Sequence, residues 1–429
     1  MLPKILISVS MCTFITSKAI ACSYLMSGTE RRDKPMKFQG YARPDGSVGI
    51  RNLILVMAVA DCSEPVARMI AEDVEGAIPI TQHYGCIPGE MVANTLIGVG
   101  ENPNVGAILV VGMGCEGMPA QALAGRMKKS GKPVEWISVQ QLGGTRNAVK
   151  EGKRIIKDMS QKLMELKRIE FDISKLIVGV KCGGSDTTSG LAGNPAVGAF
   201  VDMFVDAGGS AIMSEPIEAV GAEEPLAKRA VNEKVRKQIY EMIGNEEKRW
   251  SVPGAQMEFM CKGNVDGGLT TIEEKSLGAI HKSGSRTIMG VLENSDRLLQ
   301  KVPEGGGFYL QDGTHMEPMA MSFMAAAGAQ IIIFVTGCGG TFGHAIAPLI
   351  KVTGNPATFE KMSEDMDINA GTIITGEEAI DSVGRRIFDE VMQVASGKYT
   401  RGEILGYRNF SVFRTDPRLD ALLKISRYS

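Results

Sequence analysis

The chain carries four histidines and eight cysteines, few enough to weigh one at a time. His83 lies in Gln82-His-Tyr-Gly-Cys86, directly after the apolar run 77–80, so an imidazole and a thiol three residues apart can converge across a glycine on one ion or substrate. A hydrogen-bonded structural histidine is the plainer alternative. His281 follows a polar stretch and reads as a solvated surface residue, whereas His315, in Asp312-Gly-Thr-His-Met-Glu317, and His344, after Gly340-Thr-Phe-Gly343, suit a site and a structural role equally. Cys115, Cys182 and Cys338 each follow an apolar run and stand beside glycine. Burial as a small hydrophobe is the commonest fate of cysteine. Three such strand ends would nevertheless line one sheet edge with thiols, able to hold iron as a thiolate-bound ion or a cluster, although no spacing matches a ferredoxin pattern. Cys86, Cys115 and Cys182 are the candidate soft metal ligands.

Acidic residues add hard oxygen ligands and bases. Asp186 follows Cys182 in a Gly-Gly-Ser-Asp turn, where a carboxylate has few structural duties. Glu116 follows Cys115, and Glu215 and Glu218 follow the apolar run 211–214. Glu273 and Glu274 come after Gly267-Gly-Leu-Thr-Thr271, where threonine can cap the next helix, and Glu273 reads equally as the residue that completes the cap and as a functional carboxylate.

These residues need elements to present them. Short apolar runs at 53–60, 107–111, 176–180 and 331–335 each stop at a Gly- or Cys-containing turn followed by a helix-like stretch. Strands alternating with helices imply parallel, Rossmann-like sheets, so the fold class is α/β and multidomain, with Gly-rich strand-to-helix turns along the ligand-binding edge. Glycine there permits positive φ and lets main-chain N–H groups approach an anion. Asn194-Pro195 reads as the N-cap and first residue of a helix reaching Phe204. The amphipathic stretch 147–167 joins two halves, giving a first α/β domain at 36–160 and a second at 161–429 that shares the catalytic core. A further helix at 380–396 ends on Gly397. Residues 1–35 read as a leader outside the native fold, with the true start near Met36.

Composition narrows the function. At 47 Lys+Arg against 49 Asp+Glu, the chain has no net field to attract nucleic acid or an anionic membrane. No stretch reaches the ~20 apolar residues of a membrane helix. The eight cysteines include no CxxC pair, so neither a zinc ribbon nor a disulfide framework is indicated, and a reducing cytoplasm fits best. Gly112-Met-Gly-Cys-Glu-Gly117 satisfies GxGxxG, but its glutamate would lie where a pyrophosphate belongs, which weakens a nicotinamide or flavin reading.

Four strings taken in order are more specific: Gly40-Tyr-Ala-Arg-Pro-Asp-Gly-Ser-Val-Gly-Ile-Arg-Asn52, Gln82-His-Tyr-Gly-Cys86, Lys181-Cys-Gly-Gly-Ser-Asp186 with Ser189-Gly-Leu-Ala-Gly-Asn-Pro195, and Gly267-Gly-Leu-Thr-Thr-Ile-Glu-Glu-Lys-Ser-Leu-Gly278. Together they resemble the altronate/galactarate dehydratase family, from about Gly40 to Gly406. The resemblance implies a carbon–oxygen hydro-lyase that converts a sugar acid to a 2-keto-3-deoxy acid with a divalent metal, ferrous iron or alternatively manganese. An iron–sulfur cluster stays open. Single-chain members carry a small SAF domain, so the resemblance also implies a separately encoded SAF-domain subunit, similar to the arrangement in sulfolactate sulfo-lyase, whose large subunit is of this family. A homo-oligomer is compatible with it. Cys338 stands where the dehydratases have arginine, and Asp312-Gly-Thr-His315 replaces a Pro-Gly stretch; both point away from altronate itself.

Abstraction of a proton beside a carboxylate needs a base, an acid for the departing hydroxyl and positive charge where the aci-carboxylate develops. His83 and Asp186 are the acid/base candidates and Lys181 the carboxylate partner, with Gly183, Gly184, Ser185, Asn194 and Glu215 around the substrate. Two alternatives remain: elimination of sulfite from a sulfonated hydroxy acid by the same route, and a non-catalytic sugar-acid binding protein.

Overall fold

Near-continuous apolar runs such as Leu53–Ala58 and Ile331–Thr336 can be satisfied only in strands covered on both faces, the environment of a parallel sheet. The computed structural model, which describes residues 36–250, 260–293, 296–298, 306–314 and 316–412, contains two such sheets. The leader and His315 lie outside the described residues.

The smaller sheet comprises β3 (Leu53–Ala58), β4 (Ala77–Thr81), β5 (Val105–Gly112) and β6 (Val134–Ser138), in the order β4-β3-β5-β6 and all parallel. The larger comprises β8 (Ile177–Cys182), β9 (Ser210–Met213), β10 (Ile288–Leu292), β11 (Gly307–Gln311), β12 (Ile331–Thr336), β13 (Leu349–Thr353) and β14 (Ile368–Asn369). Its order is β10-β11-β9-β8-β12-β13-β14, again all parallel. A third, antiparallel ribbon joins β1 (Lys37–Ala42), β2 (Val48–Gly49) and β7 (Ile169–Asp172). The α/β reading with parallel sheets holds.

Core residues stack the layers. One face of the small sheet packs under helices Glu64–Ala71 and Thr145–Met164. Its other face shares a single apolar layer with the large sheet, in which Leu55, Ile108, Ile332 and Phe334 meet helices Glu90–Glu101 and Glu317–Ala327. The far face of the large sheet is covered by helices Asn194–Asp206 and Ile380–Ala395. Gly397 has φ +117, the left-handed residue expected after the last of these.

The motif Gly40 to Asn52 is architectural. The Arg43 guanidinium donates to Pro103 O, Arg51 O and Asn52 Oδ1, and Arg51 forks onto Glu403 at 2.7 and 2.8 Å. Buried Asn102 and Asn104 donate across the shared layer to the carbonyls of Ala325, Ala329, Gln330 and Ile346. Such fully paired amides fix how the two sheets meet in a way that apolar packing alone does not.

Asn194 departs from its expected place. A π-helical turn, Ser189–Gly193, runs straight into the helix, so Asn194 lies inside helical backbone rather than capping it. The cap before helix Ile272–Ala279 comes from Thr271, whose hydroxyl accepts from Glu274 N; it is Glu274, not Glu273, that reaches back, to Thr270 N and Oγ.

Candidate functional site

β8 and β9 end side by side in the middle of the large sheet, and both deliver charge. Lys181 and Cys182 close β8 with side chains pointing to opposite faces. After β9 the chain turns at Glu215, the one non-glycine among the described residues with positive φ (+80), and a short 3-10 turn, Pro216–Ala219, brings in Glu218. Helix Ile272–Ala279 and the turn Ile280–Ser283 supply Lys275 and Lys282.

These groups form one cluster, sealed except at Lys275, whose side chain is 13% exposed. Lys181 is ion-paired to Glu215, and its ammonium also donates to Cys182 O at 3.0 Å. Lys282 Nζ lies 2.8 Å from Glu218 Oε2 and 3.1 Å from Cys182 Sγ, the thiol donates to Glu218 Oε2 at 2.7 Å, and Lys275 Nζ stands 3.3 Å from Glu218 Oε1. Burial pushes the Cys182 thiol up to about 12, aided by the charge of Glu218. Burial and then Glu218 raise Glu215 to about 7, against the pull of Lys181 and Lys282. Burial acts the same way on Glu218, but Lys282, Lys275 and Lys181 outweigh it and hold that carboxyl well below its usual range.

Ligand atoms of Cys182, Glu215 and Glu218 lie within 4.8 Å of one another and could hold a metal ion. Lysine ammoniums bond those same atoms here, so a divalent ion would have to displace at least Lys282. As it stands the cluster sets three ammoniums against two carboxylates, so it needs no further cation to offset them.

Beside it lies a cavity of about 300 Å³, lined by Ser185, Asn194, Lys275 and His281 among others. Two of its lining residues, Ser185 and Asn194, each carry a buried side-chain oxygen, Oγ and Oδ1, without a hydrogen-bond partner. Asn194 Nδ2 donates to Gly278 O at 3.0 Å, and Asn264 Nδ2 secures Ser185 O at 2.7 Å. The Asn194 side chain and the Ser185 backbone are therefore held in place, with an amide oxygen and a hydroxyl to spare. Buried polar atoms are rarely left unmatched, so this pair marks a place for a polar ligand.

The sequence-derived residues divide between two sheet edges. At the large sheet, Lys181, Cys182, Gly183, Gly184, Ser185, Asp186, Asn194 and Glu215 are gathered around β8. Lys181 and Glu215 are sealed at no more than 1% exposure, facing each other rather than the cavity. The Gly183 N–H continues the sheet ladder to Val335 O, and Gly184 O accepts from Gly337 N and Cys338 N, so these glycines stitch β8 to β12. The Asp186 carboxylate has more structural duty than its sequence setting suggests. It accepts from Thr188 Oγ1, Ser189 N and Ser189 Oγ on one oxygen and from Asn355 Nδ2 on the other, and so fixes the π-helical turn.

At the small sheet, His83, Cys86 and Cys115 stand exposed on the loops after β4 and β5. The structure thus separates Cys182 from the other two expected ligands, and Cys62 joins them instead on the loop after β3. Residues 409–412 bridge the two edges: Tyr84 Oη donates to Val412 O, while Gly343 N and Ala345 N donate to Asn409 Oδ1 and O. His344 is buried, its Nδ1 accepting from Ala347 N at 3.2 Å. His281 is exposed and lines the cavity.

Lys275 and Lys282 have no role in the sequence reading. Their i, i+7 spacing, which puts both on one face of a continuous helical stretch, was the available signal. Asn355 and Asn264 gave none, since their roles exist only through contacts made more than 75 residues away in the chain.

Two family models match the chain: "D-galactarate/Altronate dehydratase, C-terminal" over residues 173–417 and "D-galactarate dehydratase/Altronate hydrolase, second domain" over residues 40–164. The (2R)-sulfolactate sulfo-lyase subunit beta of Chromohalobacter salexigens is 34% identical, with 89% of this chain and 98% of the relative covered. The altronate dehydratase of Bacillus subtilis is 32% identical over 88% of this chain and 78% of its own length. The galactarate dehydratase (L-threo-forming) of Escherichia coli is 34% identical over 84% and 73%. These relatives are lyases, and the chain belongs to the D-galactarate/altronate dehydratase family.

Proposed function

We propose that this chain is a hydro-lyase for a sugar acid of the altronate or galactarate kind, removing the C2 proton and the C3 hydroxyl to leave a 2-keto-3-deoxy acid. The observation that carries the reading is the cavity lined by Ser185, Asn194 and Lys275, in which the first two residues each carry a buried, unpaired side-chain oxygen. A polyhydroxy carboxylate offers the matching groups: hydroxyls to donate to Asn194 and exchange with Ser185, and a carboxylate for the ammonium. One Lys275 N–H is taken by Glu218, which leaves donors for a ligand.

His83 is assigned the proton transfer. It is exposed, and Tyr84 ties its loop to residues 409–412 and through them to the loop after β12. Asp186 holds the Ser185 turn in shape, and the buried Lys181–Glu215 pair anchors the strand ends behind it. A bound divalent metal, ferrous iron or manganese, supplies positive charge to the substrate oxygens. Its protein donors would be Cys182, Glu215 and Glu218, once it had displaced Lys282 from them.

A second reading rests on the likeness to the sulfo-lyase subunit: the same proton abstraction with sulfite leaving from C3. The word "subunit" in that relative's name also supports a separate partner chain, which we take to be a small SAF-domain protein acting in the same cytoplasmic compartment. Incubation of the chain, with and without such a partner and with iron under anaerobic conditions, distinguishes the readings. Keto-deoxy acid from altronate or galactarate supports the first. Sulfite from sulfolactate transfers the assignment to the second, and neither product overturns both.

A further inference from the structure

The small sheet has its own topological switch point. In the order β4-β3-β5-β6 the connection reverses direction between β3 and β5, and in open parallel sheets ligands collect outside the carboxyl ends of the strands at such a reversal. The loops that flank it carry Cys62, after β3, and Cys115, after β5; the loop after the neighbouring β4 carries Cys86. All three thiols are free and exposed. Cysteine is among the most often buried of residues, so three exposed at adjacent strand tips have no explanation in packing.

The loops are bonded to one another, and the thiols are held at defined positions. Gln82, fully buried, donates from Nε2 to Val59 O at the end of β3 and to Gly85 O beside Cys86. Gly85 N donates to Asp61 Oδ2, next to Cys62. Gly117 N donates to Cys86 O at 2.9 Å, which joins the β5 loop to the β4 loop. The Glu116 carboxylate folds under its own turn, accepting from Gly114 N at 2.6 Å and Cys115 N at 3.1 Å, and this turns the Cys115 side chain outward, where Gln140 Nε2 meets Sγ at 3.5 Å.

Among the described residues, the group of three such donors within 4.8 Å of one another is Cys182, Glu215 and Glu218, not these thiols. Tetrahedral thiolates at about 2.3 Å from one ion would draw their sulfurs to within about 4 Å of each other. A wider triangle suits a polynuclear centre.

We propose that Cys62, Cys86 and Cys115 ligate a [4Fe–4S] cluster through three thiolates, the fourth iron being left without a protein thiolate and open to an oxygen ligand beside His83. The three thiols lose their protons on ligation. No further cysteine stands on this edge among the described residues, since the remaining ones, Cys182, Cys261 and Cys338, belong to the β8, 261–266 and β12 segments. The inference deepens the hydro-lyase reading only in the use of the open iron; the cluster site itself rests on the three loops.

The test is anaerobic reconstitution of the full-length chain with sulfide and equal amounts of ferrous and ferric iron, read by bound iron, acid-labile sulfide, visible absorption and electron paramagnetic resonance after reduction. The expected result is about four iron and four sulfide per chain. Cys62→Ser, Cys86→Ser and Cys115→Ser should each lose most of the bound sulfide while keeping the wild-type circular dichroism, and Cys338→Ser and Cys261→Ser should keep it. Iron bound without sulfide, no iron bound, or full clusters in all three variants each overturn the proposal. A complete cluster in a chain inactive on every sugar acid would sink the hydro-lyase reading alone; turnover by a chain that takes up no sulfide on reconstitution would sink this one alone.

Discussion

Lys282 Nζ lies 2.8 Å from Glu218 Oε2, and neither side chain is more than 2% exposed. An ion pair so deeply placed contributes little over an apolar pair of the same shape, but removal of one partner strands the other charge in a low-dielectric interior. Lys282→Met should therefore cost about 3–5 kcal/mol of stability. The double variant Lys282→Met with Glu218→Gln should recover a good part of that loss. Urea unfolding of the three chains checks it, and a single variant within about 1 kcal/mol of wild type would show that the cluster rearranges freely.

The two unpaired atoms of the cavity predict a split between stability and affinity. Ser185→Ala deletes a buried hydroxyl that has no partner in the free protein, so its thermal midpoint should stay the same or rise slightly. If the hydroxyl binds substrate, KM should rise about 10- to 100-fold with kcat less affected. Steady-state kinetics and a melting curve on one preparation decide this. A fall in stability without a change in KM would make Ser185 structural.

His83 and His281 are both exposed, and their variants test proton transfer and binding separately. His83→Ala should lower kcat by about 10²- to 10⁴-fold, the range lost with a general acid or base. His281→Ala should act mainly on KM. Near-normal kcat in the first variant would remove His83 from the mechanism.

His344 predicts an acid limb of stability. Burial lowers its ring to about 3 from an ordinary value of 6.5, so between these pH values the unfolded chain takes up a proton that the folded chain refuses. Its contribution is complete above about pH 6.5 and falls as pH drops toward 3, by at most about 1.4 kcal/mol per pH unit. His344→Asn, whose side-chain oxygen can still accept from Ala347 N, should flatten the slope of folding stability between pH 6.5 and 4.5 relative to wild type. Parallel slopes in the two chains would mean that other groups carry the acid sensitivity.

Hydrophobic period and glycine placement revealed β3, β4, β5, β8, β9 and β12, while β6, β10, β11 and β13 were not read from the sequence. Each apolar run read as a strand appears within two residues of its expected ends, because a segment buried on both faces allows almost no polar interruption. The capping glutamate was misassigned by one residue, Glu273 for Glu274, since the reciprocal cap depends on which threonine starts the helix. Asp186 illustrates a different limit. Its local string suggests a free carboxylate, and only Asn355, 169 residues away, together with the turn at Ser189, reveals an occupied one.

The sequence by itself determined the alternating α/β order, the glycine-bearing strand tips and the family, all of which are written in local spacing and ordered motifs. Tertiary structure decided how the reactive side chains are grouped. Strand order, which no local pattern encodes, sets Cys182 among lysines and glutamates beneath one sheet edge and leaves Cys86 and Cys115 with Cys62 on another. It also decided which charges are neutralised, because Lys275 and Lys282 reach Glu218 only when a helix more than fifty residues downstream packs against the end of β8.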